Sequence, residues 1–263
     1  MALTEIPIEL SSTPSIVDGG NATAITIDST ENVGVGIAPI PSSSSYNGGL
    51  LHLHQPSTTT THGSQIKLSN GVTGSAAGDG FLIAKYGDKN TYLTNFDAGS
   101  DIIFNMTNDG GTVAERMRLN HDGIVTMPSQ PAFLVFRGSS TQNNIAINSN
   151  ATVVFASEVF DVGANFASNT FTAPVTGKYH LDMHVRIEAV DIDASFYQLR
   201  LISSNRTYTM TLDPRAFDQD PGYHSMTYSV LADMDASDTV SLILHQGSGS
   251  AQSDIDGESF FSG

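Results

Sequence analysis

The stretch Lys178-Tyr179-His180-Leu181-Asp182-Met183-His184-Val185-Arg186-Ile187 alternates without a break. Tyr179, Leu181, Met183, Val185 and Ile187 fall on one face of an extended chain, and Lys178, His180, Asp182, His184 and Arg186 on the other. That is the period-two pattern of a strand with one side buried. Outward from it the pattern recurs. Tyr208, Met210 and Leu212 alternate with Thr207, Thr209 and Thr211; Met226, Tyr228 and Val230 form a further apolar face, as do Val240, Leu242 and Leu244. Polar turns separate these runs and no helical period intervenes. Residues 128–263 therefore predict an antiparallel sandwich or jelly roll. Pro128 and Pro131 bracket its boundary at residues 127–130.

Upstream the strands are shorter. Residues 24–28, 33–37, 50–54, 65–68, 80–85, 91–95, 101–106 and 115–120 read as strands bounded by Gly, Asn or Asp. His121-Asp122-Gly123 carries the Asp-Gly pair of a hairpin turn. Residues 39–45, with two prolines and four serines, read as a linker, and residues 55–64, with four consecutive threonines, as a second polar loop. These strands are too short and too Gly-rich to close a core in one chain. Intertwining with identical chains would supply what is missing.

Composition narrows the function classes. Only 14% of the 263 residues are charged, against roughly 25% in an ordinary soluble protein. The net charge is −16 and no Lys/Arg run occurs, which disfavours nucleic acid and anionic membranes as partners. No apolar stretch approaches the roughly 18 residues of a membrane span. The absence of Cys excludes disulfide scaffolds, thiolate metal sites and thiol nucleophiles. The opening residues lack a basic region followed by an apolar core, so no signal peptide is readable, and the chain is expected in the cytoplasm where it is made.

Catalytic motifs are missing: no Gly-x-Ser-x-Gly elbow, Walker loop, His-Glu-x-x-His helix or dinucleotide fingerprint occurs. A glycosidase needs only two carboxylates, but those enzymes favour a β-helix and no solenoid period is visible. The chain reads as a non-enzyme. His52 and His54 project to the same side of a strand. Around a threefold axis they would offer six imidazoles to a transition metal; the alternative is a solvated strand face. Acidic pairs recur near turns, at Asp191/Asp193, Asp218/Asp220, Asp233/Asp235/Asp238 and Asp254/Asp256. They offer hard oxygen ligands to Ca or Mg, or serve as solvated turn carboxylates. Residues 190–195, 217–224 and 247–256 read as loops at one end of the sandwich. Phe196, Phe217 and Tyr223 beside Asp191, Asp193, Asp218, Asp220, Asp254 and Asp256 make a mixture suited to sugar rings and hydroxyls.

Two resemblances bear on this reading. Pro131-Ala132-Phe133, the run Phe171-Thr172-Ala173-Pro174-Val175-Thr176-Gly177-Lys178-Tyr179, Ala236-Ser237-Asp238-Thr239-Val240 and Phe260-Phe261-Ser262-Gly263 resemble the globular head domain of the complement first-component q subunit. The resemblance covers residues 131–263 and implies a ten-stranded, TNF-like jelly roll that assembles as a trimer. Family members continue past the Phe-Ser-Gly with further aliphatic residues, whereas this chain stops at Gly263, which implies a short final strand. The first half resembles bacteriophage tail-fibre and virion-appendage proteins, through its opening MALTEIPIELSSTP, the residues 24–28 with Asn32-Val33-Gly34-Val35-Gly36, and Ala114-Glu115-Arg116-Met117-Arg118-Leu119.

Together these predict an all-β protein: a trimeric, intertwined, short-stranded N-terminal fibre region followed by an antiparallel ten-stranded jelly-roll sandwich. Residues 1–45 would be a virion-proximal attachment segment and linker, 46–127 a β-rich trimeric fibre domain, and 128–263 the tip. The resemblance implies a phage tail fibre that mediates host attachment, located in the virion tail and assembled in the host cytoplasm. Its expected partners are its own copies as a homotrimer, tail or baseplate proteins through the N-terminus, and a host-surface glycan or protein receptor. The alternatives are a purely structural virion component, with the jelly roll as trimerisation clamp, and a surface-glycan depolymerase.

Overall fold

The computed structural model describes residues 15–17, 23–27, 33–35, 51–55 and 59–263; the opening stretch 1–14 and the linker at 39–45 lie outside them, as does most of the expected attachment segment. Among the described residues there is no α-helix, and one turn of 3-10 helix, Pro214–Ala216, is the sole departure from strands and loops. The chain divides into two compact units, residues 1–105 with 117–126, and residues 106–116 with 127–263.

In the first unit, β1 (Ser15–Val17), β2 (Thr23–Ile27), β3 (Val33–Val35) and β4 (Leu51–Leu53) form one sheet in chain order. Its last pair, β3 with β4, is parallel. β5 (Gly63–Leu68), β6 (Phe81–Tyr86) and β7 (Thr91–Asn95) form an antiparallel meander. A third small sheet joins β8 (Ile102–Thr107), β9 (Val113–Leu119) and β10 (Val125–Thr126); its residues 106–116 fall in the second unit. The β9–β10 hairpin closes through Asn120 N–H to Ile124 O at 3.0 Å, with Gly123 in the left-handed region at φ +83°. That conformation is strained for any residue with a Cβ, which is why the turn carries glycine. Among the described residues of this unit, only Leu82 and Ala84 are fully shielded apolar side chains.

The second unit is a closed sandwich. Its strands are β11 (Ala132–Phe136), β12 (Asn150–Thr152), β13 (Ser157–Val162), β14 (Phe166–Ala167), β15 (Thr170–Thr172), β16 (Gly177–Glu188), β17 (Phe196–Ser203), β18 (Thr207–Leu212), β19 (Tyr223–Met234), β20 (Thr239–Gly247), β21 (Asp254–Ile255) and β22 (Phe260–Ser262). One sheet runs β13-β11-β22-β16-β19 and the other β14-β15-β20-β17-β18, with β21 added beside β16 and β12 beside β20. Ten strands thus lie on the two main paths, in jelly-roll order, and two short ones are added. The last strand is short, but it is central. β22 lies between β11 and β16, and Phe133 and Gly263 exchange backbone hydrogen bonds of 2.9 and 3.1 Å beyond it.

The alternation of β16 places Leu181, Met183, Val185 and Ile187 in the core without solvent contact. From the facing sheet they meet Tyr197, Leu199, Leu201, Leu242 and Leu244. Phe133 anchors the end where the chain enters, stacked on Phe171 and Phe166 at ring distances of 4.8 and 5.2 Å and edge-on to Phe261 at 5.0 Å. Each such side chain contributes roughly 1.5–3 kcal/mol on burial. The two outer faces differ. One sheet presents half-buried or exposed Leu134, Phe136, Phe160, Phe260 and Leu231 beside the polar row His180, Asp182, His184 and Arg186; the other presents Thr207, Thr209, Thr211, Gln198 and Arg200.

Candidate functional site

β11 ends at Phe136, β16 at Glu188, β18 at Leu212 and β20 at Gly247, and the loops that follow meet at one end of the sandwich. This is the end away from Phe133 and Gly263, where the chain enters. Backbone bonds tie the loops together: Ala189 N–H donates to Gly222 O at 2.9 Å and Val190 N–H to Pro221 O at 3.1 Å. Ser248 N–H donates to the Asn148 side chain at 2.7 Å, and the Gln252 amide to the carbonyls of Asn144 and Ile145 at 3.3 and 3.2 Å. Loops that share hydrogen bonds this densely form a rigid platform rather than separate flexible arms.

Asp191 is the knot of that platform. It is buried, and its carboxylate accepts from the N–H groups of Asp193, Ser250 and Ala251 at 2.9, 2.6 and 2.7 Å. Burial alone would raise its pKa; the N–H groups of Ala251, Asp193 and Ser250 outweigh that and hold it below the usual carboxylate range. Gly249 permits the approach: at φ +116°, a Cβ there would fall 2.5 Å from the Asp191 carboxylate. Beneath it the buried Tyr197 hydroxyl accepts from Asp191 N–H at 2.9 Å and meets the Ser253 hydroxyl at 2.6 Å, which donates onward to Ala189 O.

The other carboxylates are spent in the same way. Asp220 accepts from Ile192 N–H at 2.9 Å, Asp254 from Asn144 N–H, and exposed Asp193 from the Ser250 hydroxyl at 3.0 Å. Asp256 is buried, accepts from Glu258 N–H at 2.8 Å and pairs with Arg186 at 2.9 Å. Burial acts upward on Asp256, and the Glu258 N–H and the Arg186 guanidinium outweigh it, so its pKa too is lowered. Only Asp218 stands exposed without such a bond. Among the described residues no three His, Asp or Glu side chains converge as a metal site. The paired aspartates face backbone N–H groups, not each other.

The aromatic side chains lie partly outside the expected loops. Phe196 opens β17 and stacks on His245 at 5.6 Å, and Tyr223 opens β19. Phe217 is in its loop, 5.4 Å from the ring of His224. Tyr223 lies under the Arg186 guanidinium at 4.8 Å and its hydroxyl donates to Glu188 at 3.3 Å. Arg186 thus links Tyr223 to Asp256, beside a shallow cavity of about 430 Å³ that Phe136, Ser139, Thr141 and Glu258 also line. Arg186, Glu188, Tyr197 and Ser253 carry this architecture, yet no motif marks them. The one signal was the placement of Arg186 on the polar face of its strand.

In the first unit, His52 is in β4 and His54 follows its end, their rings 5.9 Å apart. His54 is exposed, whereas His52 is half-buried and its Nδ1 is shielded without a partner. One chain brings two imidazoles together there, fewer than a closed metal site requires.

A family model for the C1q domain matches residues 132–263. The chain belongs to the C1q domain family. The C1q domain is similar in fold to the globular domain of zebrafish complement 1qA protein, with 19% identity over 50% of this chain and 93% of that one, at a TM-score of 0.36. It is also similar to murine APRIL at pH 8.5, with 11% identity over 50% of this chain and 95% of that one, at a TM-score of 0.36. A comparison with curated proteins finds no match.

Histidines set an expected pH response of the C1q domain. Burial lowers the pKa of His184, His224 and His245, with Arg186 adding to the effect at His184 and Arg200 at His245. A base with a depressed folded pKa stabilises the fold fully above its unfolded value, about 6.5, and that contribution is lost as pH falls through the folded value. Melting temperature should therefore decline from pH 7 to pH 5, with a shallower decline in a His184→Gln, His245→Gln variant. Circular dichroism melts check this; a melting temperature that rises on acidification in both proteins would contradict it.

Proposed function

We propose that the chain is a homotrimeric bacteriophage tail-fibre protein whose C1q domain is the tip that meets the host surface. The observation that carries the reading is the rigid four-loop platform at the end of the sandwich opposite the chain's entry. Residues entering at one end and loops locked at the other are the layout of a stalk-mounted binding head. Support for assembly comes from the large apolar side chains on the outer face of the β13-β11-β22-β16-β19 sheet, Leu134, Phe136, Phe160, Phe260 and Leu231, which stand among polar residues of β16 and β19; Leu231 remains 65% exposed in a single chain, a feature found at association surfaces. The N-terminal segment would attach to other virion proteins. Recognition without chemistry at the tip fits a binding role, and three copies per fibre let weak sites act together.

A second reading has its own observation. Asp191, Asp220, Asp254 and Asp256 are consumed within the platform, which suits a C1q domain that only clamps the trimer. Adsorption separates the two. Purified protein should compete with phage for host cells, and a Phe217→Ala, Tyr223→Ala variant should compete about tenfold less well while melting at the same temperature. Equal competition by the variant would remove these aromatic residues from the contact surface, and no competition by the native protein would favour the clamp.

A further inference from the structure

We infer that the exposed face of the β5-β6-β7 sheet is where three copies of this chain meet in the first unit, an inference that rests on the homotrimer reading above. Register aligns Ile66, Ile83 and Leu93 as one row across the three strands. These side chains are 42%, 38% and 52% exposed, and Leu68, two positions along the same face, is 57% exposed. The opposite face already has its shielded residues, Leu82 and Ala84. An antiparallel sheet with one face packed ordinarily turns polar residues outward. This one turns outward branched aliphatic ones.

Size and charge select the occupant. Three strands by three positions span roughly 300 Å², from strand spacing and rise. That is well below the about 800 Å² that each partner contributes to a standard interface. Such a face does not hold two free molecules, but it closes when copies are already held together elsewhere at high effective concentration. A second copy meets that condition, and an unrelated protein does not. Chains of net charge −16 repel one another, and this face carries no carboxylate. Ser64, Phe81, Thr91 and Asn95 complete it, and its one charge, Lys85, sits at the margin with its ammonium on the Lys89 carbonyl. Three such faces around a threefold axis cover one another's rows.

The absence of Cys makes the test direct. Ile83→Cys and Leu93→Cys are made singly in the full chain, with Asp109→Cys in an exposed turn as control, and oxidised at low concentration. Residues facing a shared axis come within disulfide reach. Each trimer closes one bond, so about two-thirds of the chains should run as covalent dimers for Ile83→Cys or Leu93→Cys, and few for the control. Sedimentation mass is read in parallel. A trimeric mass with no cross-linking above the control overturns this inference and leaves the homotrimer reading intact. A single-chain mass overturns both.

Discussion

Replacing Asp191 with alanine is expected to cost the C1q domain about 3 kcal/mol of unfolding free energy, from the charged hydrogen bonds lost and the buried donors left behind. Three backbone N–H groups from two loops converge on this carboxylate. Individual bonds to a charged acceptor contribute about 1.5–3 kcal/mol, but they share one acceptor and do not add fully. Asp193→Ala is the comparison. That exposed carboxylate holds one hydroxyl, and its loss should cost less than about 1 kcal/mol. Urea unfolding of the two variants checks the difference. Equal costs would mean that the loops are not tied through Asp191. The same carboxylate gives an acid limit: because its pKa is lowered in the fold, the stabilisation is complete above the usual carboxylate range and is lost as pH falls through the folded value.

The second large effect concerns assembly. Under the homotrimer proposal, the native protein should sediment as three chains and a Leu231→Asp variant as one. Leu231 is 65% exposed in one chain, so the substitution should leave the fold within about 0.5 kcal/mol. A carboxylate between copies must be desolvated beside its like-charged equivalents, which costs several kcal/mol per contact. Trimers that persist with an unchanged melting temperature would place the interface elsewhere.

Much of the sandwich was legible because its strands obey a local rule. β16 announces its buried face through unbroken alternation, and Leu181 to Ile187 occupy it. The partners of each strand were not legible, since β22 inserts between β11 and β16 across more than 70 residues of sequence and nothing in Phe260-Phe261-Ser262 encodes that neighbour. The loop ends were located by their turn residues, yet the roles of their aspartates were not. Asp191 and Asp193 look alike in sequence. One is buried because Ser250 and Ala251, distant in the chain, fold over it; the other faces solvent. Tyr223 follows Asp220-Pro221-Gly222 and Phe196 follows Asp191, Asp193 and Ser195, turn residues that make both read as loop, but strand pairing with Glu188 and Gly247 extends the sheets to include both.

The proposed function puts this chain on a virion with its C1q domain outermost. Antibodies against residues 128–263, applied to intact phage particles and viewed by electron microscopy, test it most directly. Label is expected at the distal ends of tail appendages. Particles without label, prepared from a lysate in which the same antibodies detect the chain, would contradict it.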